Sequence, residues 1–478
     1  MPPPVPDAAL AIAQARIDLV DPQDCTDAAD TLAMLHAVFD PLVRRTGPGT
    51  FASALAEEWV QEDARTTLFR LRPGATFHDG TPCDAEAVAA SLRRMADPAV
   101  GATLGAPGVW AQYLAASTTS VVNSRTLRLA TARDIADILD IVCAGPIISP
   151  AALANAQAAA AADIAARWVG TGPWRLGAVH SDEVTLTPHD NPALPALRWL
   201  RRDNPADRAA ALRDGSADIA TRLDPTETAG FFARTVTDPT AVVCLLNGAR
   251  GPCADPRVRR ALNLAVDRDA LVAMVLGGHA TPLAGFVSPH HDGFDPDAPG
   301  PRHDPAESRR LLAEAGHGGG LALAADWPTR LPDEAPALLP ALRAQLAQIG
   351  VTLDVRIEPD RVRYAERVRD SDIADICLFD SSPLSTFRVL AEKIDSRVAG
   401  SWWLGYRNAA VEALLDQARA ATQAAGRSAL YRRCYRLLQD DPPWLVLYTH
   451  RKTAAARPPW TLALRDDGVL DVRAIAAG

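Results

Sequence analysis

The feature of this 478-residue sequence that most constrains its fold is the alternation of strand-like and helix-like stretches along the chain. One unit shows the pattern clearly. Residues 338–349 carry apolar side chains at helical spacing, Gly350 ends that helix, and residues 351–357 alternate as a strand. Repetition of this pattern favours an α/β architecture. At roughly 100–200 residues per domain, the length suggests two to four domains.

Composition and charge exclude several classes of protein. The 49 basic and 58 acidic residues leave a net charge of −9, which argues against a nucleic-acid binder that works through a basic surface. The 30 glycines and 38 prolines follow no fixed period, so a fibrous chain is excluded. No window of 18 uncharged apolar residues predicts a membrane span. The first residues show no basic region before an apolar stretch, so no export signal is visible.

Periodicity and turn residues predict the individual elements. The predicted strands lie within 8–20 and at 66–71, 126–130, 184–187, 242–247, 351–357 and 444–448. The predicted helices lie at 28–42, 151–168, 255–276, 305–315, 338–349, 409–421 and 427–438. The helix at 255–276 has Asp255 as its cap, Pro256 in its first turn and two glycines at its end.

Two glycine-rich motifs invite a catalytic interpretation, and neither supports one. His317-Gly-Gly-Gly320 is similar to an esterase oxyanion loop, but the chain has no GxSxG nucleophile motif. Gly170-Thr-Gly-Pro173 lacks the Lys-Ser/Thr of a phosphate loop, and Pro173 removes a backbone donor. We therefore predict a protein that is not an enzyme and needs no cofactor.

Histidine and cysteine patterns give no specific metal motif. His290 and His291 stand beside Asp292, with His303 soon after, so a metal site stays open as an alternative. No further ligand recurs at helical or hairpin spacing, so we expect a solvated loop. The seven cysteines form no CxxC pair or zinc motif. Most are expected to be buried and unpaired. A local disulfide between Cys244 and Cys253 stays open as an alternative in an oxidising compartment.

Aromatic and charged residues near the carboxyl third are the candidates for ligand binding. Three large rings, Trp402, Trp403 and Tyr406, fall in one glycine-bounded loop, where exposed rings indicate recognition and buried ones a core plug. Asp380 follows an apolar strand, at the position where open α/β sheets bind ligands. It can pair with a ligand ammonium or cap a helix. Arg388 can hold a ligand carboxylate or be a surface charge.

Several segments, taken in order, resemble the bacterial extracellular solute-binding proteins of family 5. This family comprises the oligopeptide-, dipeptide- and nickel-binding components of ABC importers. The matching segments are 36–43 (HAVFDPLV), 55–59 (LAEEW), 67–82 (TLFRLRPGATFHDGTP), 170–174 (GTGPW), 244–247 with 255–267, and 303–305 with 311–316. Their order along the chain makes the resemblance specific.

The resemblance implies a two-lobed periplasmic-binding-protein-like fold of type II. Lobe one would comprise residues 1–247, including a small extra subdomain at about 41–165. Lobe two would comprise 248–446, and residues 447–478 would return to lobe one. The implied function is a monomeric receptor whose lobes close by hinge bending on a small peptide or similar zwitterion. The receptor would deliver the solute to the permease subunits of an ABC importer in the inner membrane.

The resemblance also implies ligand-binding residues. In peptide-binding relatives an Asp before a Pro-x-Ser/Thr-Phe stretch binds the peptide's amino terminus, and Asp380 is the matching residue here. The segment between Asp380 and Phe387 is one residue shorter than the usual form. Aromatic side chains would line the cleft at Trp402, Trp403, Tyr406 and Tyr448, with Trp174 in the GTGP turn. We name no metal ligand in the protein itself.

Two alternatives stay open at this point. The same fold serves for nickel or another metal chelate, gripped by His and Arg side chains. It also serves as a cytoplasmic ligand-sensing module, a hypothesis that the lack of a visible export signal favours and the lack of an attached DNA-binding segment opposes. Family resemblance favours the periplasm as the location.

Overall fold

The computed structural model of the chain describes residues 9–24, 28–100, 110–158, 164–330, 332–381, 383–398 and 402–477. These residues divide into two compact units. Unit 1 contains the described residues up to 236 and again from 452 onward, and unit 2 contains residues 237–451. The lobe boundaries predicted at residues 247 and 446 stay a prediction.

Unit 1 contains twelve strands before the chain enters unit 2. They are β1 (Leu10–Gln14), β2 (Val43–Gly47), β3 (Thr50–Ser53), β4 (Ala56–Gln61), β5 (Thr66–Leu71), β6 (Thr118–Asn123), β7 (Thr126–Ala130), β8 (Trp174–Val179), β9 (Glu183–Pro188), β10 (Leu197–Arg201), β11 (Ile219–Ala220) and β12 (Phe232–Thr237). Its helices are α1 (Ala29–Val38), α2 (Ala85–Met95), α3 (Ala111–Leu114), α4 (Ile138–Val142), α5 (Pro150–Ala158) and α6 (Pro205–Asp214).

Unit 2 carries the next six strands and the remaining helices. The strands are β13 (Ala241–Leu246), β14 (Ala280–Pro282), β15 (Leu321–Pro328), β16 (Val351–Glu358), β17 (Ile376–Ser381) and β18 (Trp444–Ala456). The helices are α7 (Pro256–Ala265), α8 (Arg268–Leu276), α9 (Pro305–Glu314), α10 (Ala335–Ala347), α11 (Arg361–Arg369), α12 (Thr386–Val389), α13 (Ala409–Ala420) and α14 (Ala424–Asp440). The last residues of β18 belong to unit 1, which ends with β19 (Trp460–Thr461) and β20 (Ala476–Ala477).

The main sheet of unit 1 mixes parallel and antiparallel pairs. β1 runs parallel to both β10 and β11, and β9 continues the sheet antiparallel to β10 and β8. A separate four-stranded antiparallel sheet has the order β4-β5-β7-β6, beside the hairpin β2–β3. These small sheets fall within the predicted extra subdomain.

The sheet of unit 2 has the order β16-β15-β17-β13-β18. β15 is parallel to its neighbours, whereas β13 is antiparallel to β17 and β18. Both faces of β13 are buried, as expected of a central strand whose residues are all apolar. Helices α7 to α10 pack their apolar faces on this sheet to form the core of unit 2.

Two predictions about elements need correction. The pattern over 255–276 predicts one helix, but the structure has two, α7 and α8. Val266 is extended and the Asp267 carboxylate accepts a hydrogen bond from the Ala270 N–H, so a new helix begins there. The predicted strand 444–448 continues to Ala456. Within the predicted helix 151–168, residues 159–163 lie outside the described part of the chain.

The cysteines that the structure describes are free, so no disulfide joins Cys244 and Cys253. Cys25 lies outside the described residues. Burial raises the pKa of the Cys253 thiol to about 12, which keeps it protonated and unreactive. Within the described ranges, no helix is both long and apolar enough to cross a membrane.

Candidate functional site

Asp380 is the last residue but one of β17, in the sheet of unit 2. The central strand β13 pairs with β17 on one side and β18 on the other, and Val242 is the register partner of both Asp380 and Tyr448. Paired residues share one face of a sheet. The half-buried Asp380 carboxylate and the Tyr448 ring therefore flank Val242. The register brings these two predicted site residues to one end of the sheet.

The Tyr448 hydroxyl already has a partner. It donates a hydrogen bond to Glu334 Oε1 at 2.6 Å, and His450 Nε2 lies 2.7 Å from the same oxygen. Burial opposes the charge of Glu334, but the hydrogen bonds and the charge of His450 lower the pKa of that carboxyl below its ordinary value. Burial and the Glu334 carboxylate raise the pKa of Tyr448. Tyr448 is fully buried, and its ring belongs to the hydrophobic core of unit 2, so its ligand-binding role stays a prediction.

The opposite face of β17 carries an aromatic and cationic cluster. Successive side chains of a strand point to opposite faces, so Phe379 leaves β17 on the side away from Asp380. The Trp402 ring lies 5.2 Å from the Phe379 ring, centroid to centroid. Lys393 Nζ lies 5.6 Å from the Trp402 centroid and donates to the Asp380 backbone carbonyl at 3.2 Å. Lys393 therefore contacts both the Trp402 ring and the backbone of Asp380.

Arg361, at the start of α11, is a candidate that the sequence analysis missed. Its guanidinium lies 4.8 Å from the Phe379 centroid. Its Nε and Nη1 atoms are buried and have no hydrogen-bond partner among the described residues. Buried donors without partners are costly, so a ligand acceptor here would be stabilised. The helical pattern of α11 gives no local sign of this role. Lys393, one of only two lysines in the chain, is likewise absent from the sequence-based candidates.

The predicted aromatic loop is divided between partly exposed and buried rings. Tyr406 is 4% exposed; its hydroxyl donates to the Asp441 carbonyl at 3.0 Å and accepts from Asn408 at 3.1 Å. Burial raises the pKa of this hydroxyl. The Trp403 indole N–H donates to the Tyr406 carbonyl, and the ring stays partly exposed. Tyr406 therefore anchors the loop, while Trp402 and Trp403 keep accessible area.

Two predicted residues lie outside this cluster. Arg388 in α12 pairs with Glu392 at 2.8 Å, and both side chains are largely buried. A ligand carboxylate would have to compete with Glu392 for it. Trp174 at the start of β8 belongs to unit 1, where it is 2% exposed and donates its indole N–H to the Pro195 carbonyl at 2.9 Å. Its ring is part of the core of unit 1. The ligand-binding roles of both residues stay predictions.

The histidine pair has a structural partner that corrects the expected solvated loop. His291 is buried; its Nδ1 lies 3.0 Å from the Ser288 hydroxyl and its Nε2 lies 2.8 Å from the Pro383 carbonyl. Pro383 is in the segment that follows Asp380, so His291 braces that segment. Among the described residues, no cluster of three or more His, Cys, Asp or Glu side chains is placed to hold a metal ion.

Comparison with known proteins identifies a family and several relatives. The family model described as bacterial extracellular solute-binding proteins, family 5 Middle, matches residues 50–382. The glutathione-binding protein GsiB of Escherichia coli K12 is 27% identical over 459 residues, which cover 90% of this chain and 87% of GsiB.

Solved structures share the fold over nearly the whole chain. The periplasmic binding protein DppA of Helicobacter pylori, in complex with the peptide STSA, has a TM-score of 0.79 at 19% identity and covers 98% of both chains. NikZ of Campylobacter jejuni, in complex with Ni(L-His), has a TM-score of 0.75 at 19% identity and covers 98% of this chain and 97% of its own. The predicted type II periplasmic-binding-protein fold is confirmed.

Proposed function

Because the chain belongs to family 5 of the bacterial extracellular solute-binding proteins, we propose that it captures small peptides or similar zwitterionic solutes for an ABC importer. Proteins of this family are solute receptors that work with ABC permeases, and GsiB, DppA and NikZ bind glutathione, a peptide and a nickel chelate respectively. Among these ligand classes, we infer from the residues of this chain that a peptide or similar zwitterion fits best. We also propose that the protein acts in the periplasm, where such receptors act.

The observation that carries the proposal is the position of Asp380. A half-buried carboxylate at the end of a central strand, in register with a buried tyrosine, is suited to a primary ammonium. A charge-assisted hydrogen bond in such a partly dry setting is stronger than one in water. Lys393 donates to the backbone carbonyl of Asp380 and lies over the Trp402 ring, on the side of the strand away from the carboxylate. The Asp380 carboxylate is therefore the group that would pair with the ammonium of a peptide or similar zwitterion.

We propose a capture mechanism in which the two lobes close on the solute by hinge bending. Binding to both lobes would shift an open–closed equilibrium toward the closed state. Trp402 and Trp403 would offer contact area that tolerates different side chains, as aromatic rings do at adaptable binding surfaces. The closed receptor would then present the solute to the permease. The protein contributes binding and no chemical step.

The test is titration calorimetry of wild type and Asp380→Asn with alanyl-alanine, glutathione and a nickel–histidine mixture. We expect wild type to bind a peptide and Asp380→Asn to bind it at least about 10-fold more weakly, the value of one charge-assisted hydrogen bond. The melting temperature without ligand should be nearly unchanged. Asp370→Asn, the same change at an exposed carboxylate of unit 2, should bind like wild type.

Two outcomes would contradict the proposal. Equal peptide affinity in wild type and Asp380→Asn would remove Asp380 from the site. Binding of the nickel–histidine mixture without any peptide binding would favour the chelate receptor instead. Native mass spectrometry of gently purified protein provides an independent check, because a ladder of peptide adducts and a nickel isotope pattern are readily distinguished.

A further inference from the structure

Lys393 lies on an unusual turn shortly after the strand that carries Asp380. Helix α12 continues into a π-helix at Leu390–Ile394, whose five residues are all buried. The Asp395 N–H closes this turn by donating to the Leu390 carbonyl at 2.8 Å, five residues earlier. π-Helices are rare and occur frequently at functional sites. This turn places Lys393 in unit 2 as a buried cation that is 6% exposed.

Side chains satisfy the carbonyls along one edge of β17. The register of β15 with β17 ends at Cys377. Beyond that point, the Leu378 carbonyl accepts a hydrogen bond from the Tyr364 hydroxyl at 2.6 Å. The Asp380 carbonyl accepts one from Lys393 Nζ at 3.2 Å. Carbonyls two residues apart in a strand point to the same edge, so Lys393 completes this edge at the residue whose carboxylate would bind the ammonium.

The Lys393 ammonium also contacts two aromatic rings. Its Nζ lies 5.9 Å from the centroid of the Phe379 ring and 5.6 Å from that of the Trp402 ring. The two ring centroids are 5.2 Å apart. A ring attracts a cation at these distances, and the attraction is stronger where water is excluded. One buried ammonium therefore connects the end of β17 to the loop that carries Trp402.

We propose that Lys393 is a positioning residue for the ammonium site and acts through the backbone of Asp380. By holding the Asp380 carbonyl, Lys393 fixes the direction in which the carboxylate leaves the strand. The inference rests on the proposed function, in which that carboxylate pairs with the ammonium of the solute. Lys393 thereby determines the preference for a free amino group, because a charge-assisted hydrogen bond needs its acceptor in a defined direction.

The charge of Lys393 acting alone would have the opposite effect. Two ammonium groups repel each other, so a charge that acted only through space would weaken the binding of the solute's ammonium at Asp380. Positioning through the backbone strengthens that binding. The direction of the change on removing the Lys393 ammonium therefore distinguishes the two roles.

The experiment measures the ratio of the affinities for alanyl-alanine and N-acetyl-alanyl-alanine by titration calorimetry on the full chain. We expect wild type to prefer alanyl-alanine by at least about 10-fold, the value of one charge-assisted hydrogen bond. Lys393→Met keeps the length of the side chain and removes the ammonium, and it should reduce this preference to less than about 3-fold. Lys452→Met, the same change at the other lysine of the chain, in unit 1, should keep the wild-type preference.

Two comparisons separate positioning from a general loss of structure. Ile394→Val removes a methylene from the same buried turn and keeps the ammonium, so it should lower the melting temperature and leave the preference unchanged. If Lys393 acts through Asp380, the double variant Lys393→Met with Asp380→Asn should have the same preference as Asp380→Asn alone. The two changes then remove one shared interaction, and their effects do not add.

Three results would overturn the inference: a preference in Lys393→Met that equals or exceeds that of wild type, an equal loss in Ile394→Val, or a further loss in the double variant. Should Lys393→Met not fold, Lys393→Gln takes its place, because its shorter amide leaves the Asp380 carbonyl out of reach. A wild-type preference in that variant would overturn the inference equally. Failure of wild type to distinguish the two dipeptides would contradict the proposed function, and this inference with it.

Discussion

His78 connects two of the segments that define the family resemblance. Its Nε2 lies 2.9 Å from the Gly172 carbonyl, and its Nδ1 accepts a 3.4 Å hydrogen bond from the Gly170 N–H. A neutral imidazole with its proton on Nε2 satisfies both contacts. Burial, and then the nearby His189, lowers the pKa of His78 to about 4, although the hydrogen bond to Gly172 opposes the shift. The folded protein therefore keeps this histidine neutral in mild acid.

This shift predicts a pH dependence of stability. Between pH 4 and 6.5 the unfolded chain binds a proton at His78 that the folded chain does not, so the unfolding free energy falls as the pH falls through this window. The loss of unfolding free energy begins as the pH falls below about 6.5, and the total loss is at most about 3 kcal/mol. We expect the urea midpoint of His78→Gln to change less steeply with pH than that of wild type. Parallel midpoint curves for the two proteins would contradict the assignment.

At the residue scale, the sequence proposes candidate residues but does not indicate their partners. Asp380 is a candidate because it follows an apolar strand. Arg361 is absent from the sequence-based candidates, since its neighbour Phe379 is brought to it only by folding. Tyr406 and Tyr448 were found as aromatics, but their buried hydroxyl partners Asp441 and Glu334 lie far along the chain. Local composition has no means of indicating such contacts.

At the scale of elements, the Gly170–Trp174 turn shows why its glycines matter. A Cβ at Gly170 would lie 2.2 Å from the Val38 carbonyl oxygen, and one at Gly172 would lie 2.4 Å from the Ala37 oxygen. The turn therefore packs its backbone directly on the end of α1. Thr171 adds a 3.1 Å hydrogen bond to the buried Asp40, which also pairs with Arg473. The motif thus packs the turn on α1 within unit 1.

Gly170→Ala should consequently destabilise the protein by about 1–3 kcal/mol, the usual cost of overpacking. The Val38 carbonyl that the new methyl would meet also accepts the 2.9 Å hydrogen bond of the Gly172 N–H, so it cannot move away without weakening that bond. The measurement is chemical unfolding compared with Gly319→Ala, where an added Cβ meets nothing within 4 Å and the change should be within about 0.5 kcal/mol. Equal stability of the two variants would show that the close approach is not rigid.

The elements themselves were largely predictable, with one instructive failure. β5, β7 and α9 follow from alternation, capping and turn residues close in sequence. The break between α7 and α8 does not follow from the local sequence, because Val266 and Asp267 fit a continuous helix as well as a cap. The break is stabilised by Gln345 of α10. Its side chain accepts a hydrogen bond from the Asp267 N–H at 2.8 Å and donates one to the Asp267 carbonyl at 3.1 Å. Tertiary contacts thus override a weak helical preference.

At the scale of the whole molecule, ligand binding should stabilise the fold. A solute that binds only the folded receptor adds about 2.7 kcal/mol to the unfolding free energy at 100 times its dissociation constant. We expect alanyl-alanine to raise the melting temperature in scanning calorimetry, and to do so less for Asp380→Asn at the same concentration. A peptide that binds by titration yet leaves the melting curve unchanged would contradict this linkage.

The sequence by itself determined the α/β class, most elements and the family. It did so because periodicity, caps and turn residues act over a few positions, and because several motifs occur in one order. The two-lobed fold followed from that resemblance, and the similar structures confirmed it. The net charge of −9 by itself argues against a nucleic-acid binder with a basic surface.

Only the tertiary structure decided which residues meet. The register that sets Asp380 and Tyr448 on either side of Val242 joins positions more than a hundred residues apart. The register of such strands depends on which side chains both faces of the sheet bury. The free energy that stabilises this pairing therefore comes from the whole packed core, and no single segment of the sequence specifies it.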